Sequence, residues 1–304
     1  MTKKLSLLLL PFCVLPVLSQ EKYLIPKIMD QVAKGEPIYE YTDELAGYPP
    51  SISLLEELGY YTNAPHPAIR QTAYRLIYQT SILSANEDVR KEAVRLIAEN
   101  GLADTEPAAK LRVLDYLDEF APNDFSNSVR TKLASLLVSH TNKDLRLVRL
   151  AGRIDLTSVV PVLEQRMADA KKPKEQWAIR LALARMGNES LKTYCLEKVK
   201  TLGINDNVTT YLLPDLVYIR SREAIKYMLT LVMQDDDACS SYDPDSERNV
   251  NCAFRVLEQV APHVRDFPVK IKPSGDLDSN DYEQTLAKAR EWITLHLETF
   301  DPLY

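Results

Sequence analysis

The sequence predicts an all-α protein, and three observations carry that expectation. Glycine supplies only 8 of 304 residues, while leucine supplies 43. Sheets use glycine at turns and bulges, and doubly wound α/β folds use it in phosphate loops, so this balance favours helix. Second, 45% apolar and 26% charged residues place the chain among ordinary globular proteins, not disordered ones. Third, four gap-free segments spaced by 20 residues carry apolar side chains at i, i+4, i+7 and i+8. They are AIRQTAYRLI (68–77), DVRKEAVRLI (88–97), AAKLRVLDYL (108–117) and SVRTKLASLL (128–137). That spacing is one face of a helix and cannot be one face of a strand.

Taken in order, the chain opens with Met1-Thr2-Lys3-Lys4 and an apolar run from Leu5 to Leu18 broken by Pro11 and Pro16. Val17-Leu18-Ser19 places small residues where a signal peptidase reads, so residues 1–19 are expected to be a signal peptide cleaved before Gln20. The run is too short to span about 30 Å of hydrocarbon, and Phe12 before Cys13 is too bulky for a lipobox. Residues 20–50 are expected to hold a lead helix (21–34) and an irregular, Tyr-rich cap from Tyr39 to Pro50. From residue 51 a helical array follows. Its first arm is SLLEELGYY (53–61), and the four 20-residue units come next. Each unit leaves about 13 residues of helix, roughly 20 Å, and a loop of about seven. Loops that short make consecutive helices antiparallel. Later arms are expected at 147–167, 176–187, 189–201, 211–232 and 249–261. Breaks are expected at 235–248 and 262–280, the second with an extended Phe267–Ile271. The last helix, 281–298, starts at Asp281 with Gln284 three residues on.

Pairs of such units repeat every 40 residues, the period of HEAT and armadillo arrays. With the Asp-x-Arg-x-x-Ala pattern of Asp88, Arg90 and Ala93, the helix ending at Gly187, and the Ala-Gly and Pro161 of the 147–167 hairpin, the sequence resembles the HEAT-repeat family. The resemblance implies a right-handed α-α superhelix of helical hairpins over residues 51–304, closed by a C-terminal capping helix. It also implies that the repeated basic residue of each unit (Arg70, Arg90, Lys110, Arg130) belongs to a register-fixing ladder, with Asp88/Arg90 and Asp144/Arg146 in the usual form.

Removing residues 1–19 takes Lys3 and Lys4 from 37 basic residues, leaving 35 against 43 acidic ones and a net charge of −8. A nucleic-acid binder needs a basic field, so that class is set aside, and no membrane-spanning partner segment is expected after signal removal. Candidate binding residues are Arg146, Arg149 and Arg153, at i, i+3 and i+7 on one helical face, where an anionic partner could dock. Cys239 and Cys252, 13 residues apart in a chain bound for an oxidising compartment, are expected to form a disulfide. Cys195, among Leu191, Leu196 and Val199, reads as a buried small residue. The acidic runs 235–247 and 276–281 read as solvated turns, since Asp281 and Ala287 stand where an EF-hand needs Gly and Glu. The four histidines are scattered, and no Gly-x-Ser-x-Gly elbow, Walker loop or dinucleotide fingerprint occurs. The expected function is therefore an exported, periplasmic, non-enzymatic scaffold that binds a protein or peptide through a concave face, without cofactor or metal. The alternatives are a HEAT-like enzyme of the bilin-lyase type and a structural subunit of an envelope complex.

Overall fold

The computed structural model describes residues 18–139, 144–235, 238–240 and 249–304 of the chain, with side chains from residue 24 onward. Helix accounts for 69% of the described residues, in fifteen α-helices and short 3-10 and π turns. The chain divides into two compact units, Met1–Val129 and Arg130–Tyr304. The expected signal peptide lies outside the described residues except for Leu18 and Ser19, which begin the first helix.

The first unit contains α1 (Leu18–Lys34), α2 (Tyr39–Ala46), α3 (Ile52–Tyr61), α4 (Pro67–Ser81), α5 (Glu87–Leu96) and α6 (Pro107–Glu119). A π-helical turn, Ile97–Gly101, extends α5. Ser51 and Asn86 accept backbone N–H groups at the starts of α3 and α5, while α4 and α6 open on Pro67 and Pro107, whose missing N–H costs nothing in a first turn. In the middle of the unit helices pack on their successor and on the helix after that: α3 on α4 and α5, α4 on α5 and α6. Thirteen of the sixteen residues in the repeated stripe are buried, and Ile69, Tyr116 and Leu136 are partly exposed. The irregular cap expected at 39–50 is corrected by α2. Its only buried residue is Leu45, so it has no apolar stripe to announce it, and Gly47 and the prolines at 49 and 50 end it.

After α7 (Asn127–Val138), which crosses the division, the second unit contains α8 (Leu145–Arg153), α9 (Val160–Asp169), α10 (Pro173–Arg185) and α11 (Glu189–Lys200). A π-helical turn, Val208–Leu212, leads into α12 (Leu213–Tyr218), followed by α13 (Arg222–Val232), α14 (Cys252–Val260) and α15 (Tyr282–His296). Here too neighbours at i+2 touch, α8 with α10, α10 with α12, α12 with α14, and α13 with α15. Gly187, at φ +102°, turns the chain out of α10 as the sequence indicates. Asp281 caps α15 through Gln284 N at 2.9 Å, but Ser279 Oγ, not the Gln284 side chain, accepts the Asp281 N–H.

The sheet content among the described residues is one antiparallel pair, β1 (Cys239–Ser240) with β2 (Asn249–Val250). The Cys239 and Cys252 sulfurs lie at bonding distance, as expected from the sequence, and both residues are fully buried. Ser240 donates through its backbone N–H and its hydroxyl to Asp206, and Arg255 donates to Ser240 O, so the covalent tie anchors a polar network ahead of α14. No described helix is long and apolar enough to cross a membrane.

Candidate functional site

The repeated arginines of the first unit do form a ladder, with partners other than the expected ones. Arg70 donates from Nε and Nη2 to the two carboxylate oxygens of Asp104, each at 2.8 Å, and from Nη1 to Ala64 O. Arg90 makes a related rung, donating from Nε to the two Asp124 oxygens at 3.0 and 3.2 Å and from Nη1 to Ser84 O. Each guanidinium therefore holds a carbonyl six residues back and a carboxylate 34 residues ahead, tying one helix to the turn two helices on. Both carboxylates are buried. Asp88 is exposed and its expected pairing with Arg90 is replaced by Asp124. Lys110 is exposed as well, so the third unit contributes no rung of this kind, and Arg130 donates to Ile154 O. The Arg70 hydrogen bonds hold the Asp104 carboxyl down at about 2 against its burial, with help from the Glu106 N–H and the Tyr74 hydroxyl. Tyr74, buried beside that carboxylate, has its own pKa pushed up, chiefly by burial.

In the second unit a cleft of about 550 Å³ opens between α8, α10 and α12. Two of the three sequence candidates, Arg146 and Arg149, line it with Lys174 and Trp177. Asp215, which sequence reasoning passed over, organises the wall. It accepts Arg149 Nη1 at 2.8 Å and Trp177 Nε1 at 2.7 Å. Arg149 also lies 4.3 Å over the Tyr218 ring, and Tyr218 donates its hydroxyl to Arg149 O. The close fit needs Gly152: a Cβ there would stand 2.2 Å from Tyr218 Oη and 2.8 Å from Ala182 Cα. Asp144 accepts the Arg146 backbone N–H at 2.9 Å and sits 3.4 Å from its Nε. Arg153 does not line the cleft. It lies near Arg185, whose pKa falls to about 10, mainly through burial and then through repulsion from Arg220, with Arg153 adding to it. This cleft is cationic at its rim and neutralised at its wall.

The first unit opens a comparable cleft of about 600 Å³ between α4 and α6, which no sequence signal announced. Arg75, Arg112 and Tyr116 line it together with Ala68, Ala108 and Ala109. Arg75 also lines an adjoining cleft of about 590 Å³ that reaches Tyr39, Tyr48, Tyr78 and Leu83. Tyr78 and Tyr116 stack at 4.7 Å between the two. In contrast to Arg70, Arg90 and Arg95, neither Arg75 nor Arg112 makes a hydrogen bond or ion pair with a described residue.

The other candidates resolve into structural duties. The Cys195 thiol is buried and its pKa is pushed up to about 12 by burial, with Arg180 opposing, so it remains a protonated core side chain at neutral pH. In the 276–281 run, Asp276 accepts Ser274 Oγ and Asp281 caps α15, so the carboxylates serve separate turns. Asp236, Asp237 and residues 241–248 of the other run lie outside the described residues, as do Cys13 and His140. No group of three or more His, Cys, Asp or Glu side chains among the described residues is placed to hold a metal ion. Comparison of the chain with family models, with curated proteins and with solved structures gives no match.

Proposed function

We propose that this protein is an exported α-solenoid of HEAT type that works as a binding scaffold for a polypeptide partner, not by turnover. One observation supports it above the others. Each unit independently opens a cleft between helices i and i+2 of one layer, and each cleft is lined by arginine and an aromatic ring. Helices that contact both the next and the next-but-one neighbour are what stacked hairpins produce, and their inner layer offers several side chains per repeat to an extended ligand. Arg and Tyr are also the side chains that dominate binding energy at protein interfaces. The fully buried cysteine pair supports folding in an oxidising compartment such as the periplasm.

The test is capture from an envelope extract by the immobilised mature chain. Any retained partner should be lost when Tyr116→Ala or Lys174→Ala is introduced and kept with Tyr60→Ala, a highly exposed residue outside both clefts. Equal retention by all three variants, or consumption of a small molecule with no partner retained, refutes the scaffold reading.

A further inference from the structure

Arginine in this protein is normally spoken for. Arg70, Arg90, Arg95 and Arg149 each hold a carboxylate at hydrogen-bonding distance, and Arg185 and Arg222 hold backbone carbonyls. Arg75 and Arg112 break that pattern together, in one place. Arg75 is half-buried on α4, Arg112 is exposed on α6, and both line the same cleft, whose lining contains no acidic residue. Their charges act jointly on one group: both guanidinium groups pull the Tyr116 phenol pKa down against the burial that raises it. Asp115 acts on the same phenol in the opposite direction from outside the lining, and Asp104, beside Tyr74 of the lining, is already occupied by Arg70. Neither guanidinium is held by a described carboxylate, so an arriving oxyanion is stabilised by both charges.

We infer that the α4–α6 cleft is the primary recognition site, and that it takes a carboxylate side chain of an extended partner polypeptide on Arg75 and Arg112, with a neighbouring apolar residue seated in the adjoining cleft. The inference rests on the scaffold reading and names the chemistry that its ligand must carry. Three features select a peptide over a free anion. The two clefts share Arg75, so an acid bound there directs the rest of the ligand into the second. The second cleft is rimmed by Leu83 and Tyr39, the first 93% and the second 77% exposed, an apolar lip that a free phosphate would leave unused. The small side chains of Ala68, Ala108 and Ala109 in the same lining leave room for a main chain to approach closely. Asp43 on the wall of the second cleft opposes a second acid there, which favours an acidic residue flanked by an apolar one over an acidic run. The Arg146–Arg149 cleft of the second unit lacks this vacancy, because Asp215 already occupies Arg149.

The test uses the full mature chain and two fluorescein-labelled decapeptides, one alternating Glu and Leu and one alternating Gln and Leu, read by fluorescence anisotropy. The Glu peptide should bind at least about tenfold more tightly than the Gln peptide, with affinity falling as salt is raised. The double variant Arg75→Gln/Arg112→Gln should lose that preference while keeping its far-ultraviolet dichroism and melting temperature, because neither side chain holds the fold together. Lys192→Gln, in the second unit and outside all three clefts, should bind like the parent. Equal binding of the two peptides, or an unchanged preference in the double variant, overturns the inference. Displacement of the peptide by millimolar inorganic phosphate but not by acetate overturns the choice of a carboxylate. If the double variant still captures the same extract partner as the parent, this site assignment fails while the scaffold reading stands. If the Glu preference is seen but no polypeptide is ever captured, the scaffold reading fails and the anion site stands.

Discussion

Asp104→Asn removes the charge from the first ladder rung without changing its shape, and the structure sets both the size and the pH dependence of the effect. The Asp104 side chain is fully buried and Arg70 is only 13% exposed, so solvent does little to screen the pair. With its carboxyl held at about 2, against an ordinary value near 3.8, Asp104 contributes about 2 kcal/mol of stability. The folded-state pKa is the lower one, so this contribution is fully present above about pH 4 and is lost as the pH falls toward 2. Asparagine cannot accept both guanidinium hydrogen bonds, and it leaves a largely buried cation with only Ala64 O and Pro65 O as acceptors. Losing one partner of a buried pair costs about 3–5 kcal/mol, and we expect the low end at pH 7 because those carbonyls remain. Urea unfolding of parent and variant in parallel, at pH 7 and at pH 2, measures the difference at each pH and cancels the titration of every other group. The gap should narrow by about 2 kcal/mol at pH 2. Glu87→Gln is the control: its pair with Lys91 is exposed on both sides and should shift stability by less than about 0.5 kcal/mol. A gap that is the same at both pH values, or no larger than the control's, refutes the reasoning.

The remaining predictions are structural. Replacing Cys239 and Cys252 by serine should cost about 3 kcal/mol from the loss of a short covalent loop, and hydrogen exchange should rise near Ser240 and the start of α14 while α3–α6 stay protected. Gly152→Ala should destabilise by about 1–3 kcal/mol, since the added methyl meets the Ala182 backbone, which cannot step aside; a neutral change in melting temperature would show that α8 and α10 can separate. Native protein at pH 8 should leave Cys195 unmodified by iodoacetamide, and urea-unfolded protein should react at once. Rapid labelling of the native thiol would mean that α11 opens far more readily than its packing implies.

What was legible in the sequence was whatever depends on local periodicity. Four stripes of i, i+4, i+7 and i+8 placed α4 to α7, because a helix buries one face whatever it packs against. Pro161, Gly187 and Asp281 marked helix ends through local backbone chemistry. α2 was not legible, since a helix with one buried residue has no periodicity to detect. The ladder was half legible: the recurrence of Arg70 and Arg90 pointed to a structural role, but their partners lie 34 residues ahead, in turns whose acids look like ordinary solvated residues. For the same reason Asp215, 66 residues from Arg149, was invisible, and so was the pairing of Arg75 with Arg112 across a cleft. A sequence shows that an arginine is present; only packing shows whether its charge is already satisfied.

That difference orders the arginines by function. Arg70 belongs to α4, the helix that also carries Arg75, and its carboxylate partner sits in the turn just before α6, the helix that carries Arg112. Tyr74 joins the two roles, because it lines the α4–α6 cleft and donates its hydroxyl to Asp104 at 3.0 Å. The rung therefore fixes the separation of the two cleft walls before any ligand arrives, and a wall fixed in advance spares a ligand the cost of ordering it. Asp104→Asn should then weaken Glu-peptide binding without touching either cleft arginine, and by less than the double Arg75→Gln/Arg112→Gln variant does. The conservative change Asp104→Glu, which keeps the charge, should recover part of the lost affinity and restore part of the pH dependence of stability. If Asp104→Asn lowers stability but leaves peptide affinity at the parent value, the ladder holds the fold alone and the cleft walls are fixed by the apolar stripe beneath them.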